Sequence, residues 1–245
     1  MQQTWSIEPL SRERLNDWLG FFEGRAFVDN PMWGSCYCTH FHREKDGSGK
    51  PEGMTNRNFA IRLIETGQMQ GYLAYSPEGI VVGWCNANNR QAFPALGTVA
   101  SAAHAAGAQA DAARAGGAQA DASAAQTGGA LAGAAQAGGA DAGDEREGGA
   151  QENAGEAGKI KTVVCFVIEK DHRRKGIATA MLQRVIADAK PDGYAAVEAY
   201  PSVRAKSEAG NYRGPLSLYL KHGFTVEKRG RRSAAIKILQ IKASD

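Results

Sequence analysis

A stretch of 58 residues, Ser101 to Gly158, limits how this chain can fold. It holds 24 alanines and 13 glycines, no aromatic residue and one large aliphatic side chain, Leu131, so it has nothing from which to build a core. Alanine favours helix, but each glycine weakens a helix by about 1 kcal/mol relative to alanine, and there is no apolar stripe to dock one. The six residues from Gly107, Gly-Ala-Gln-Ala-Asp-Ala, recur from Gly117 as an imperfect repeat. The tract is expected to be a flexible, solvated, low-complexity insertion. A partner-binding role is the alternative, although the tract offers no anchor side chain. It divides the chain into an N-terminal half, 1–100, and a C-terminal half, 159–245, which must fold together.

Eight acids against Arg114 and Arg146 give the tract a net charge of −6, so the other 187 residues hold +9 of a chain whose total is +3. Those residues also hold all 19 aromatics (7 Tyr, 8 Phe, 4 Trp), enough for a sizeable core. No run approaches the roughly 18 apolar residues of a membrane span. Met1-Gln2-Gln3-Thr4-Trp5 lacks the charged and apolar regions of a signal peptide, so a cytoplasmic chain is expected. Four cysteines (Cys36, Cys38, Cys85, Cys165) are too few for a disulfide scaffold and should remain thiols. Basic residues are scattered apart from Lys228 to Arg232, so neither nucleic acid nor membrane is an expected partner.

Periodicity predicts the elements. Trp5 to Leu10 alternates like a short strand, and Ser11 offers a cap for a helix whose face carries Leu15, Trp18, Leu19 and Phe22. After an aromatic and cysteine-rich loop, Pro31 to His42, a second helix starts at Thr55, buries Phe59, Ala60, Leu63 and Ile64, and stops at Gly67. Gly71 to Tyr75 and Ile80 to Cys85 read as a hairpin around Ser76-Pro77-Glu78-Gly79. Beyond the tract, Ile160 to Ile168 is a nearly continuous apolar run, as expected of a strand buried on both faces. From Gly176, a helix carries Ile177, Met181, Val185 and Ala189 on one stripe. Tyr194 to Tyr200 completes a βαβ unit, Pro215 to His222 is a short helix closed by Gly223, and Phe224–Val226 and Ile236–Ile241 are final strands.

Chemistry is concentrated between the buried strand and the long helix, in Asp171-His172-Arg173-Arg174-Lys175-Gly176-Ile177-Ala178-Thr179. At such a turn, N–H groups with no intrahelical partner converge and the helix dipole adds positive charge, which suits a phosphate or pyrophosphate. Three adjacent cations add to this, and Gly176 and Ala178 allow a ligand to come close. The segment is neither a P-loop nor a dinucleotide fingerprint. An ordinary basic helix start is the alternative.

Arg173-x-x-Gly176-x-Ala178 in this context resembles the [QR]-x-x-G-x-[GA] signature of the GNAT superfamily of N-acetyltransferases, which holds acetyl-coenzyme A at that turn. Leu218-Tyr219-Leu220-Lys221-His222-Gly223-Phe224 resembles a second family landmark, and the order of elements agrees over essentially all residues outside the tract. The resemblance implies an α/β fold with a mixed, mostly antiparallel sheet, flanked by helices and splayed between strands four and five. It implies that backbone groups of Phe166, Val167 and Ile168 bind the pantetheine arm, and that Arg173, Arg174, Lys175, Gly176, Ile177, Ala178 and Thr179 form the pyrophosphate turn. Tyr219 then matches the acid that protonates the departing thiolate, and a backbone N–H such as that of Ile168 would stabilise the developing oxyanion.

The sequence departs from the pattern in two places. Many members carry an asparagine seven residues before the tyrosine, where this chain has Tyr212 beside Asn211, and the buried strand lacks the glutamate base of some protein-lysine acetyltransferases. Glu198, among Ala195, Ala196, Val197 and Ala199, is the candidate base, unless it faces solvent. A water chain or an amine of lowered pKa would need no such residue. Cys36, Cys38, His40 and His42 alternate, but four ligands in line along roughly 20 Å cannot surround one ion, so no metal is expected. Trp33, Tyr37 and Phe41 read either as lining of an acceptor pocket or as loop packing, with Tyr200, Tyr212 and Arg213 across the cleft. The resulting expectation is acetyl transfer from acetyl-CoA to a small-molecule amine. Acetylation of a protein lysine or N-terminus and a non-catalytic CoA sensor are the alternatives.

Overall fold

The computed structural model describes residues 5–96, 159–203, 205, 207, 209–229 and 234–239. The Ala/Gly tract lies outside them, as do residues 230–232 of the basic cluster and the last two residues of the expected final strand. The described residues form one seven-stranded sheet. Its strands are β1 (Ser6–Pro9), β2 (Gly71–Tyr75), β3 (Val81–Asn89), β4 (Ile160–Ile168), β5 (Ala196–Ala199), β6 (Thr225–Arg229) and β7 (Ala234–Leu239). They lie in the order β1-β2-β3-β4-β5-β7-β6, and every pair is antiparallel except β4–β5.

Helices α1 (Leu15–Gly24) and α3 (Asn56–Glu65) cover one face, over Trp18, Phe21, Phe22, Phe59, Leu63, Trp84 and Val167. The long helix α4 (Ile177–Ala189) covers the other, with Ile177, Met181, Leu182 and Val185 packed over Val82, Cys85, Val163 and Val197. The short helices α2 (Pro31–Gly34) and α5 (Leu216–Leu220) complete the set. Thr55 caps α3 by accepting from the Asn58 N–H at 3.1 Å. Ser11 makes no such bond. Its hydroxyl faces Arg14, a 3-10 turn over Arg12–Arg14 comes first, and the buried face of α1 is Trp18, Phe21 and Phe22, with Leu15 and Leu19 half-buried.

The feature that positions the site is where pairing stops. β5 runs beside β4 only from Ile160↔Ala196 to Val163↔Ala199, and β4 continues for five residues, Val164 to Ile168. Pro201, two residues beyond β5, has no N–H to extend the ladder. At the same level Asn86 pairs with Cys165 and Ala87 with Val163, so Val164 is an extra residue that bends β4. The two strands therefore splay, as the resemblance implied.

Candidate active site

The turn at the end of β4 is shaped by two left-handed residues. Arg174 has φ +62° and Gly176, the N-cap of α4, has φ +84°. A side chain at Gly176 would meet nothing within 4 Å, so glycine is needed there for backbone conformation and not for room. The first amides of α4 open on this turn, in the arrangement that favours an anion. Trp5 fixes it from the far end of the sequence, its Nε1–H donating to the Lys175 carbonyl at 3.1 Å.

Of the three expected cations, Arg173 is already engaged. Its guanidinium forms a two-pronged ion pair with Asp29 at 2.5 and 2.9 Å, and its Nε–H donates to the Ile168 carbonyl at 3.0 Å. The hydrogen bond from Arg173 holds the Asp29 carboxyl below the usual carboxylate range. Arg173 thus braces the turn against β4 and the chain after α1, while Lys175 is exposed. The side chain of Ile177 is in the core under α4, which leaves Ala178 and Thr179, both half-buried, beside the turn.

Along the β4 edge, the Phe166 N–H donates to the Tyr212 carbonyl at 2.6 Å. Successive N–H groups of a strand alternate between its edges, so Ile168 presents its N–H to the splay as Phe166 does, whereas Val167 faces β3. Of the three backbones expected to meet a coenzyme, those of Phe166 and Ile168 therefore face the splay and that of Val167 faces β3. Tyr219 is fully buried on α5, edge-on to Phe224 with ring centroids 5.2 Å apart, and its hydroxyl donates to the Arg213 carbonyl at 2.6 Å. Burial pushes its phenol well above the ordinary value, so it stays protonated.

Glu198 does not face solvent, which corrects that alternative. It is buried, accepts from the Thr162 hydroxyl at 2.8 Å and lies 3.0 Å from the Arg90 Nε. Tyr200 is buried beside it, and burial and the Glu198 charge raise the phenol. The Pro31–His42 segment is α2 followed by turns, with φ of +46° at Tyr37 and +48° at Cys38 and a 3-10 turn at His40–His42. Its cysteines and histidines do not line up as on a strand. Cys38 sits 3.6 Å from Cys165 as a buried thiol contact, and all four cysteines are free thiols. Among the described residues no group of three His, Cys, Asp or Glu side chains could hold a metal ion.

The expected acceptor residues divide. Trp33, on α2, lies against Tyr212 with centroids 5.6 Å apart, and the two join the near and far sides of the cleft. Tyr37 instead packs on Phe22 and Trp18 of α1. The sequence reading missed Asp29 and Arg90, whose partners are more than 100 residues away. His42, expected only as one of four alternating possible ligands, is a buried imidazole 3.4 Å from the Asn86 amide nitrogen. No local spacing announces such pairs.

Residues 125–226 match the family model described as acetyltransferase (GNAT) domain, a span that runs through β4, the turn, α4, β5 and α5 into β6. Over that span the chain is similar to a GNAT acetyltransferase domain. By that domain it is an acetyl-CoA-dependent N-acetyltransferase, with acetyl-CoA as co-substrate. Similar solved structures include an N-acetyltransferase from Staphylococcus aureus Mu50, at 14% identity, TM-score 0.44, covering 97% of this chain and 99% of that one. Another is the PaiA N-acetyltransferase from Thermoplasma acidophilum in complex with coenzyme A, at 12% identity, TM-score 0.43, 96% and 99%. A third is a mosquito arylalkylamine N-acetyltransferase like 5b, at 10%, TM-score 0.46, 96% and 100%. No curated protein matches the chain. Among the described residues no helix is long and apolar enough to cross a membrane.

Proposed function

We propose that the chain transfers acetyl to the amine of a small molecule bound where Trp33 and Tyr212 meet, beside the splayed edge of β4. The observation that carries this reading is the splay itself: β4 outruns β5 by five residues and leads into a turn with two left-handed residues at the start of a 13-residue helix. Those residues fit the coenzyme. The amides from Arg173 to Ala178 would hold its pyrophosphate, Lys175 would add charge, and Thr179 would lie beside them. Phe166 and Ile168 would present their backbone to its arm.

Acetyl-CoA supplies an activated acetyl thioester. Ile168 N–H would donate to the acyl oxygen as negative charge develops there. Tyr219, kept protonated by burial, would hand its proton to the departing sulfur. Glu198 is held by Thr162 and Arg90, and would have to leave them to take a proton from the amine, so in this reading solvent removes that proton. The aromatic pair Trp33–Tyr212 supports an acceptor with an apolar body, because the two rings offer it an aromatic surface beside the splay.

The test is thiol release from acetyl-CoA with two panels, small primary amines and peptides bearing lysine or a free N-terminus. Turnover confined to small amines is expected. Turnover only with peptides would reverse the acceptor assignment, and coenzyme binding without turnover on either panel would make the protein a sensor.

A further inference from the structure

Two donors of the proposed site, one for the coenzyme arm and one for the departing sulfur, are held by consecutive carbonyl groups of one segment. Tyr212 C=O accepts from the Phe166 N–H at 2.6 Å, and Arg213 C=O accepts from the Tyr219 hydroxyl at 2.6 Å. The segment is compact in its own right. A 3-10 turn spans Ala209–Asn211, the Tyr212 N–H donates to the Ala209 carbonyl at 3.3 Å, and the Gly214 N–H donates to the Asn211 carbonyl at 2.8 Å. It is pinned from outside at two rings: the Tyr212 ring lies on Trp33, and the buried Arg213 guanidinium lies 5.2 Å from the Phe41 ring centroid and as far from that of Tyr212 within the segment. At its end, Gly214 has φ +78°, and a Cβ there would come within 3.2 Å of the Tyr219 ring and 3.4 Å of the Phe166 ring.

We propose that Ala209–Gly214 is a displaceable strap that covers the β4 edge and the Tyr219 hydroxyl together, so that binding of the coenzyme arm lifts Tyr212 off Phe166 and thereby releases Tyr219 from Arg213. The inference rests on the reading of the β4 edge as the coenzyme site. An N–H donates one good hydrogen bond, so the arm and the Tyr212 carbonyl compete for Phe166. The two carbonyls are one residue apart in a segment closed by its own hydrogen bonds, Tyr212 N–H to Ala209 and Gly214 N–H to Asn211, so displacement of that segment as a body moves both. Coenzyme therefore binds first and arms the acid. The Trp33–Tyr212 contact opens in the same movement, so the acceptor enters second. Closure of the strap also lowers the apparent affinity for coenzyme in proportion to the closed fraction.

The experiment is a titration of coenzyme A into the full chain, followed by calorimetry and by tryptophan emission, with Trp33→Phe titrated in parallel to isolate the Trp33 contribution. The strap predicts a saturable change in Trp33 emission whose midpoint matches the calorimetric Kd. It also predicts that Tyr212→Ala, which loses the ring contacts pinning the strap, binds coenzyme about three- to tenfold more tightly. Hydrogen exchange on the unaltered protein gives a reading that needs no variant. Amides of 209–214 should exchange faster on binding, while Phe166 remains protected by its new partner. Calorimetric binding with unchanged Trp33 emission and unchanged exchange at 209–214 would overturn the strap and leave the coenzyme site standing. Absence of calorimetric binding would overturn the coenzyme site, and the strap with it.

Discussion

The turn Arg173–Thr179 and the wall of side chains around the β4–β5 splay are made in different ways, seven consecutive residues forming the first and four separate stretches the second. In the turn, the decisive properties are backbone properties: φ +62° at Arg174, φ +84° at Gly176, and the amides that open α4. In the wall, Trp33 and Phe41 come from the chain after α1, Arg90 from the end of β3, Glu198 and Tyr200 from β5, and Tyr212 and Arg213 from the segment before α5. Local code can place amides with accuracy. A wall assembled at long range depends on burial and pairing, and changes to it should register as stability and turnover before they register as coenzyme affinity.

The largest expected effect is on turnover. Tyr219→Phe keeps the ring against Phe224 and deletes the hydroxyl, so kcat should fall by about 100-fold or more, the range of a lost general acid. Coenzyme Kd should not weaken, because the Arg213 carbonyl is the hydroxyl's partner. Steady-state kinetics beside calorimetry separates the two quantities, and unaltered kcat would remove Tyr219 from the chemistry.

Glu198→Ala tests whether the wall is structural. The substitution removes the carboxylate 3.0 Å from the Arg90 Nε, in a site where both side chains are largely buried, and removes the acceptor of the Thr162 hydroxyl. Breaking a buried pair from one side costs about 3–5 kcal/mol, so the urea midpoint should drop sharply. A stable variant with lost turnover would instead favour the role of Glu198 as base.

The same contrast explains what could be read from the sequence. The strand, turn and long helix were legible because Ile160–Ile168 is continuously apolar and Ile177, Met181, Val185 and Ala189 repeat at helical spacing; both patterns are local. Tyr219 was legible through its neighbours, but its hydroxyl's attachment to Arg213 was not, because hydroxyl direction is set by packing. Glu198 stood out as an acid among alanines, whereas Arg90 follows two asparagines at a strand end and carries no sign of its partner. Arg173 was read as a phosphate ligand by position. Asp29, 144 residues earlier, gives it a bracing role instead.

A pH series sharpens the comparison inside the wall. Burial pushes the His42 imidazole down to about 4, against about 6.5 in the unfolded chain. Between those values the unfolded state binds one proton more than the folded state, so stability falls as pH falls, by about 1.4 kcal/mol per unit, and is unaffected above the unfolded value. Urea unfolding from pH 7.5 to 5 should show that slope in the unaltered protein, and His42→Gln should have a shallower one, the remainder including His40, which burial also lowers. Parallel slopes would mean that the imidazole protonates in place.

The smallest effect belongs to the turn and is the most selective. At Gly176 an added Cβ meets no atom within 4 Å, so Gly176→Ala disturbs neither the core nor the wall. What it opposes is the left-handed backbone, at about 1–2 kcal/mol for a residue with a Cβ. If the turn holds its shape, that energy is lost from global stability. If it relaxes toward negative φ, the first amides of α4 turn away from their common focus. The second course is expected, because no atom within 4 Å of a Cβ at Gly176 holds the strained form and the braces from Trp5 and Arg173 act on its neighbours. Coenzyme Kd should then rise by up to about tenfold, since 1.4 kcal/mol is one decade, while kcat at saturating coenzyme and the urea midpoint stay near their starting values. An unchanged Kd with a lowered midpoint would show that the turn is held from outside, by Trp5 on Lys175 and Arg173 on Asp29, and the line drawn between a locally coded turn and a wall built at long range would have to be abandoned.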